Sequence, residues 1–322
     1  MNHISKYEKD FIHYCKVRRK MSPHTVRGYG FDLNHFVRFL EKQDPPITDY
    51  SQVTRHLLEE YLDTLSEEFA VKTIKRKLAC VRSFFNYLEY EEVIQDHPFQ
   101  KFNLNMKEGT KLPTTMSIAE VGLILKAAYE QTTRGPGDEF IRLRDVAILE
   151  LLFAGGLRVS ELCALVFESI DEDEHSLKIH GKGNRERIIY LENKEVVQAL
   201  SEYLVNRRSR KVDLPHIFIS KFGEPLSTQA VRYLVTKYTK LAGISKNITP
   251  HVFRHSFASL LLEEGVDIKF IQDFMGHSSI STTQIYLHTS NEKRREVLAK
   301  MHPRQKLQAV DKEGSGQRGE LE

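Results

Sequence analysis

Six residues between positions 158 and 286 have the side chains that phosphoryl transfer requires. Guanidinium groups donate paired hydrogen bonds to the nonbridging oxygens of a phosphate, where negative charge develops during the reaction. An ammonium or an imidazole can protonate the leaving oxygen, and a phenol can attack phosphorus to form a covalent intermediate. The set therefore predicts cleavage and rejoining of a phosphodiester. Its members are Arg158, Lys182, His251, Arg254, His277 and Tyr286.

Arg158 stands where a helix is expected to end. The strongly apolar stretch 146–153 predicts a core helix, and Gly155-Gly156 terminates it two residues before Arg158. Glu161, three residues further on, could orient the guanidinium. A single arginine in such a place is more often part of a surface ion pair, so the phosphate role depends on the rest of the set.

His251 and Arg254 are predicted to share one face of a helix. Thr249-Pro250 is a well-formed N-cap and first-turn pair, and residues three apart on a helix are neighbours. One helix could then present a proton-transfer group beside a phosphate clamp. A metal site is the alternative use of the clustered histidines, but no HExxH spacing occurs and Arg254 would repel a cation. These histidines are His251, His255, His277 and His288.

Lys182 is predicted at the tip of a β-hairpin. The strands are residues 176–180 and 185–191, and the turn reads Gly-Lys-Gly-Asn. A lysine there suits a mobile general acid, which could accelerate departure of the leaving 5′ oxygen about a hundredfold or more. The alternative, a nucleotide-binding loop, requires Gly-x-x-x-x-Gly-Lys-Ser/Thr, which the chain lacks.

Tyr286 is one of 13 tyrosines, and a tyrosine is by default a structural residue. It stands out because it follows Gly276-His277, a turn that could hold an imidazole near the phosphate. No Gly-x-Ser-x-Gly nucleophile motif competes with it. Its phenol has an ordinary pKa of about 10 and needs activation by positive charge, which the arginines and the lysine would supply.

Hydrophobic periodicity divides the chain into four segments. Residues 1–92 predict amphipathic helices, because apolar residues fall three or four apart. Residues 93–112 lack periodicity and predict an interdomain linker. Residues 113–302 predict a mixed helical and β domain, and the polar tail 303–322 is expected to be disordered.

Helix starts and a row of basic side chains are also visible in the sequence. Ser22-Pro23 and Thr73 are N-cap signals, and Ser117–Glu120 has the pattern of a capping box. Residues 71–88 place basic side chains beside an apolar stripe, so this helix could lie along phosphates. A solvated basic face is the alternative.

The composition is that of an ordinary globular protein of roughly two domains, with 322 residues, 40% hydrophobic and 28% charged. The net charge of +3 is too small to identify a nucleic-acid binder, because the distribution of charge matters more. No apolar run approaches the roughly 20 residues of a membrane span and no signal-peptide core is present, so a cytoplasmic location is expected. Cys15, Cys80 and Cys163 are widely spaced and odd in number, which indicates neither disulfides nor a zinc site.

Four segments in order resemble the tyrosine recombinase, or phage integrase, family, and most closely its Xer branch. The segments are residues 156–162, 180–187, 249–258 and 275–286. The resemblance implies that Tyr286 is the nucleophile and that the other five residues of the set activate the phosphate.

The resemblance also implies a fold and a mode of action. The fold is mainly α with a small antiparallel β-sheet, in which an all-helical N-terminal core-binding domain and a mixed α/β catalytic domain form a C-shaped clamp on DNA. Such proteins act on double-stranded DNA at a specific recombination site, as a homo- or hetero-tetramer on two sites. They exchange strands through a 3′-phosphotyrosyl intermediate and a Holliday junction, and they use no metal, nucleotide or other cofactor.

Three hypotheses remain, and a fourth protein class shares the chemistry of the first two. An Xer-type recombinase that resolves chromosome or plasmid dimers is favoured by the compact two-domain plan. An integrase of a mobile element has the same catalytic motifs, and a type IB topoisomerase shares the chemistry without a defined site or a tetramer. A DNA-architectural protein that binds without cleaving is disfavoured because the catalytic set is complete. The target sequence depends on base-edge contacts and DNA deformability, which one chain does not reveal.

Overall fold

The computed structural model describes residues 3–100, 102–104, 106, 114–181, 186–276 and 301. The chain forms two compact units, Met1–Lys111 and Leu112–Glu322, and each has its own hydrophobic core. The expected clamp concerns the placement of one unit against the other and stays a prediction. No helix among these residues is long and apolar enough to cross a membrane.

The N-terminal unit is helical, as the periodicity of its sequence predicts. Its helices are α1 (His3–Val17), α2 (Pro23–Glu41), α3 (Arg55–Glu68) and α4 (Val71–Tyr90), with a short 3₁₀ turn at Tyr50–Gln52. Their apolar stripes meet in a core rich in aromatic rings, which pack mainly edge to face. The fully buried rings are those of Phe11, Phe36, Tyr61, Phe84 and Phe85.

The predicted helix starts are correct at three of four positions, Ser22, Ser117 and Thr249. The Ser22 hydroxyl accepts a hydrogen bond from the backbone N–H of Thr25, and Ser117 forms the expected capping box. The prediction that Thr73 is an N-cap is wrong, because the N-cap residue of α4 is Ala70, which makes no side-chain cap bond. Only two residues separate α3 from α4, so the helix has already begun when the chain reaches Thr73.

The segment that follows α4 packs on the helical unit. The sequence instead predicts that an interdomain linker begins at residue 93. The side chains of Ile94, Phe99 and Phe102 are buried in the core of that unit. The His97 ring nitrogen Nε2 lies 2.7 Å from the Asn86 side-chain oxygen and holds the segment to α4. These apolar residues have no helical spacing, so periodicity could not reveal their burial.

The C-terminal unit is mainly helical with a small antiparallel sheet, which confirms the predicted fold class. The sheet has the order β1-β2-β3. Ser176 pairs with Tyr190 and His180 with Glu186, so β2 and β3 form the predicted hairpin, while β1 was not predicted. The strands are β1 (Ile170–Asp171), β2 (Ser176–His180) and β3 (Glu186–Tyr190), and the helices are α5 (Ile118–Tyr129), α6 (Pro136–Ala154), α7 (Val159–Cys163), α8 (Lys194–Ser209), α9 (Thr228–Leu241), α10 (Pro250–Glu263) and α11 (Ile268–Met275).

Helix α6 is the centre of the C-terminal unit. Every residue from Asp145 to Ala154 is buried, and the helix packs against α5, α8 and α10. A helix segment that is buried all round is expected to be apolar all round, which explains the hydrophobic run of residues 146–154. Its one charged member, Glu150, accepts a hydrogen bond from the Tyr129 hydroxyl at 2.9 Å. The chain leaves α6 at Gly155 and turns toward Arg158.

Gly156 makes this turn possible. Its φ of +52° lies in the left-handed region, and a Cβ there would lie 2.8 Å from Phe257 Cδ1 and 2.9 Å from Met275 Sδ. The backbone therefore closes against side chains of α10 and α11 where only a glycine fits.

Replacement of Gly156 by alanine is expected to destabilise the C-terminal unit by about 1–3 kcal/mol, because backbone strain and overpacking both oppose folding. Thermal unfolding of the full chain measures the loss. Gly137→Ala is the matched control, since a Cβ at Gly137 meets nothing within 4 Å and no left-handed φ is required. Equal shifts of Tm in the two variants would contradict the packing argument.

Candidate active site

Arg158 is held beside Glu161 at the start of the five-residue helix α7. Its Nη1 donates to Glu161 Oε1 at 2.6 Å, and its backbone N–H donates to Glu161 Oε2 at 2.9 Å. Its Nη2 donates to the carbonyl oxygen of Gly276 at 2.8 Å. The guanidinium is thus oriented by Glu161, as the spacing suggests, and its side chain keeps 31% of its surface exposed.

Arg254 reaches the same place from helix α10 and is buried. Its Nη1 donates to the carbonyl oxygen of Gly156 at 2.6 Å, and its Nη2 donates to the carbonyl oxygen of Met275. Nη1 also lies 4.0 Å from Glu161 Oε2. The two predicted phosphate-binding arginines therefore converge on one carboxylate, although 96 positions of sequence separate them.

Arg187 is a third arginine at this carboxylate, and the sequence did not identify it as part of the site. Its Nη1 donates to Glu161 Oε1 at 3.0 Å and its Nη2 to Glu161 Oε2 at 2.7 Å. One signal in the sequence could have indicated it. Arg187 lies two residues before the buried Ile189 on β3, so both side chains face the same side of the sheet. We call the set of Glu161 with Arg158, Arg187 and Arg254 the arginine cluster.

The arginine cluster is strongly positive at neutral pH. Burial alone would raise the pKa of Glu161, but hydrogen bonds from Arg187 and Arg158 lower it to about 2. Burial and the charge of Arg158 lower the pKa of Arg254 to about 10, which leaves this guanidinium protonated. Three guanidiniums and one carboxylate give a net charge of +2, which favours an anion such as a phosphate.

His251 lies in the first turn of α10, one helical turn before Arg254, and is exposed. Partial burial lowers the pKa of its imidazole, and the positive charges of His255, Arg254, Arg232 and Arg158 lower it further. The ring is therefore neutral near pH 7 and can both accept and donate a hydrogen bond. The Thr249 hydroxyl caps the helix as predicted, accepting from the backbone N–H of Val252.

Three predicted site residues, Lys182, His277 and Tyr286, lie outside the described residues. The structure describes the positions that lead to two of them. His180 ends β2 two residues before Lys182, and Gly276 directly precedes His277. Within the described ranges, no group of three or more His, Cys, Asp or Glu side chains is arranged to hold a metal ion.

Sequence profiles of two families match most of the chain. The phage integrase family matches residues 117–293, and the N-terminal SAM-like domain of phage integrases matches residues 9–92. A tyrosine recombinase of Agathobacter rectalis is 37% identical, and the match covers 94% of this chain and 98% of that protein. This chain belongs to the phage integrase family of tyrosine recombinases. The recombinase is Xer-like, since the tyrosine recombinase XerC of Leptospira interrogans is 35% identical over 93% of this chain and 94% of its own length.

Solved structures support the fold of the recombinase. The XerH site-specific recombinase bound to its difH substrate matches with a TM-score of 0.68 and 22% identity, over 92% of this chain and 84% of that chain. A lambda integrase dimer bound to a COC′ core site matches with a TM-score of 0.65 and 20% identity, over 86% of this chain and 94% of that chain. Membership of the family makes the recombinase a site-specific enzyme that breaks and rejoins DNA strands.

Glu161 is expected to make the stability of the recombinase sensitive to acid. Its pKa is about 2 in the folded chain and 4.5 ordinarily, so its contribution is fully present above pH 4.5 and is lost as the pH falls toward 2. The free energy of unfolding of the wild type should exceed that of Glu161→Gln at neutral pH, by a contribution on the order of 3 kcal/mol. The difference should shrink on acidification, as urea unfolding at a series of pH values would measure. A difference that stays constant from about pH 6 to about pH 3 would contradict the assigned pKa.

Proposed function

We propose that the recombinase is of Xer type and resolves DNA dimers by attack of Tyr286 on a phosphodiester. In this proposal Arg158 and Arg254 bind the nonbridging oxygens, and Lys182, His251 and His277 complete the catalytic set. The observation that carries the proposal is the arginine cluster, which presents a net charge of +2 one helical turn from a neutral imidazole. The curated relatives named XerC, about 35% identical, favour the Xer role over that of a mobile-element integrase.

The cleavage step exchanges one phosphate ester for another. The Tyr286 oxygen forms a bond to phosphorus while the bond from phosphorus to the 5′ oxygen breaks, which leaves a 3′-phosphotyrosyl linkage. The phenol proton passes to a base, for which a neutral His251 is suited, and Lys182 donates a proton to the departing 5′ oxygen. Rejoining is the same step with another 5′ hydroxyl as the attacking group. Because the esters have similar energy, no nucleotide is consumed.

The guanidiniums stabilise the charge that develops on the phosphate. Arg158 is the more accessible of the two, and its exposed side can meet a nonbridging oxygen while Glu161 fixes its orientation. Arg254 is held in place by its hydrogen bonds to the carbonyl oxygens of Gly156 and Met275, so its position does not need to change during the reaction. Donors that are fixed before the reaction are the most effective form of electrostatic stabilisation.

The N-terminal unit is proposed to hold the duplex. Helix α4 exposes Lys72, Arg76 and Arg82 outside its buried stripe, a pattern suited to phosphate contacts. The related recombinases XerH and lambda integrase have been solved on DNA. We propose double-stranded DNA with a specific site as the partner, a tetramer on two such sites as the active assembly, and the cytoplasm as the location.

Covalent trapping on DNA tests the nucleophile. The protein is incubated with fragments of its own genome and denatured, and the protein-linked DNA is recovered and sequenced. Adducts are expected at one locus for the wild type and for Tyr233→Phe, which removes an exposed phenol on α9. They should be absent for Tyr286→Phe, which should still bind DNA. Adducts from Tyr286→Phe would show that another residue attacks. Adducts located in a mobile element would indicate that the enzyme is an integrase and does not resolve dimers.

The lowered pKa of His251 predicts how the cleavage rate falls at low pH, which is the acid limb of the pH–rate profile. An ordinary histidine, with a pKa of about 6.5, is half protonated at that pH. His251 should stay neutral to a lower pH, so single-turnover cleavage by the wild type should remain fast below about pH 6.5 and fall only on further acidification. His251→Gln should cleave more slowly and lose this limb. His255→Gln, on the same helix, should retain a limb that lies at higher pH, because the charge of His255 no longer lowers the pKa of His251. An unchanged limb in His251→Gln would assign the proton transfer to another group.

A further inference from the structure

Arg187 contacts three segments that the proposed reaction uses. It lies on β3, which begins four residues after Lys182 in the sequence, and it binds both oxygens of Glu161. It also packs against the backbone of Gly276, since a Cβ there would lie 3.1 Å from Arg187 Nη1. Gly276 adopts the left-handed conformation, with φ of +61°, directly before His277. One side chain thus connects the hairpin, helix α7 and the end of α11.

The contacts of Arg187 are those of a side chain that holds a carboxylate and not of one that binds substrate. Its side chain is 11% exposed, and both terminal nitrogens are used by Glu161. Its Nε is buried with no hydrogen-bond partner among the described residues. Arg187 is therefore kept in position mainly by its bidentate pair with Glu161. A planar guanidinium is the group best suited to such a pair.

The pair of Arg187 with Glu161 changes the net charge around Arg158 and Arg254. With Arg187 present, the arginine cluster carries a net charge of +2. Without it, a buried carboxylate would face Arg158 and Arg254 alone, and the net charge would fall to +1. Glu161 would then compete with a phosphate for the same guanidiniums, because a buried charge that has lost its partner binds whatever cation remains.

We propose that Arg187 is a positioning residue for DNA cleavage, which shares both oxygens of Glu161 with Arg158, weakens the hold of that carboxylate on the other two arginines and so keeps Arg158 and Arg254 available to the scissile phosphate. The inference rests on the proposed function. It assigns Arg187 no contact with DNA and no proton transfer. Its effect passes through Glu161, and this dependence distinguishes it from a residue that only stabilises the fold.

Single-turnover cleavage of a nicked DNA carrying the trapped site tests this role. Arg187→Gln is expected to slow formation of the covalent adduct about a hundredfold, the scale of loss when a catalytic group is misplaced by about 1 Å. The Kd for the same DNA should change by less than about threefold, since Arg187 makes no phosphate contact in the proposal. Arg187→Lys keeps the charge but loses the fork, so its rate should be intermediate.

Arg142 offers a matched control in the same unit. It makes a bidentate pair with Glu139 at 3.0 and 2.6 Å, and neither residue belongs to the arginine cluster. Arg142→Gln should cleave at close to the wild-type rate. If Arg187→Gln does not fold, as circular dichroism and thermal unfolding would show, Arg187→Lys decides the question: a reduced rate with unchanged Kd supports the proposal, and a wild-type rate overturns it.

A double variant separates positioning from general stability. In Arg187→Gln combined with Glu161→Gln, the competing carboxylate is gone and the net charge of the cluster returns to +2. The double variant should therefore cleave faster than Arg187→Gln alone, a sign of coupling that independent structural losses would not give. A double variant that is as slow as Arg187→Gln, or slower, overturns the inference. Absence of adducts from the wild type would instead refute the proposed function.

Discussion

Guanidiniums repel one another, and they can be held together in a partly dry site only if a negative charge and well-placed acceptors offset that repulsion. In this recombinase the negative charge is the single carboxylate of Glu161, and the acceptors are the carbonyl oxygens of Gly156, Met275 and Gly276. Because the acceptors lie at or just after helix ends, α6 and α11 must end next to the arginines. The turn after α6 and the end of α11 contact the arginines through their carbonyl oxygens, the start of α7 contacts the carboxylate, and β3 and α10 each supply one arginine. Because these elements come from distant parts of the chain, the site exists only when the whole C-terminal unit is folded.

Helix ends contribute to the same balance. The last carbonyl groups of a helix carry partial negative charge, so a cation at a C-terminus is favourable. Arg254 donates to a carbonyl at the end of α11 and to another in the turn after α6, and Arg158 donates to the C-cap residue of α11. The backbone itself thus assists Glu161 in accommodating the arginines. Two of these acceptors belong to glycines in the left-handed conformation, with φ of +52° at Gly156 and +61° at Gly276, so the placement of the carbonyl groups depends on glycine at both positions.

The sequence revealed the local features of this fold and the identity of several site residues, but not how the site is held. The hairpin 176–180 and 186–190, the cap at Thr249 and the end of the apolar helix at Gly155 follow from short-range rules and were predictable. The pair of Arg187 with Glu161 spans 26 positions and has no local pattern, so only the folded chain shows it. The burial of Phe99 and Phe102 escaped for a related reason, since non-helical segments that pack on a core carry no periodic signal. Motif resemblance found the residues expected to meet the phosphate, whereas packing shows which residues support them.

Helix α6 has a consequence for how the C-terminal unit can respond to a substrate. The second half of this helix, from Asp145 to Ala154, is buried on every side and cannot slide or rotate without opening the core, because well-packed interiors resist deformation. Its amides should be among the last to exchange with solvent, and the unit around it should open as one cooperative body. Adjustment between successive steps of strand exchange is therefore expected in elements that do not pack against this helix. The rigid interior serves as a fixed frame for the arginine cluster, since Arg158 follows the end of α6 and Arg254 lies on α10, which packs against α6.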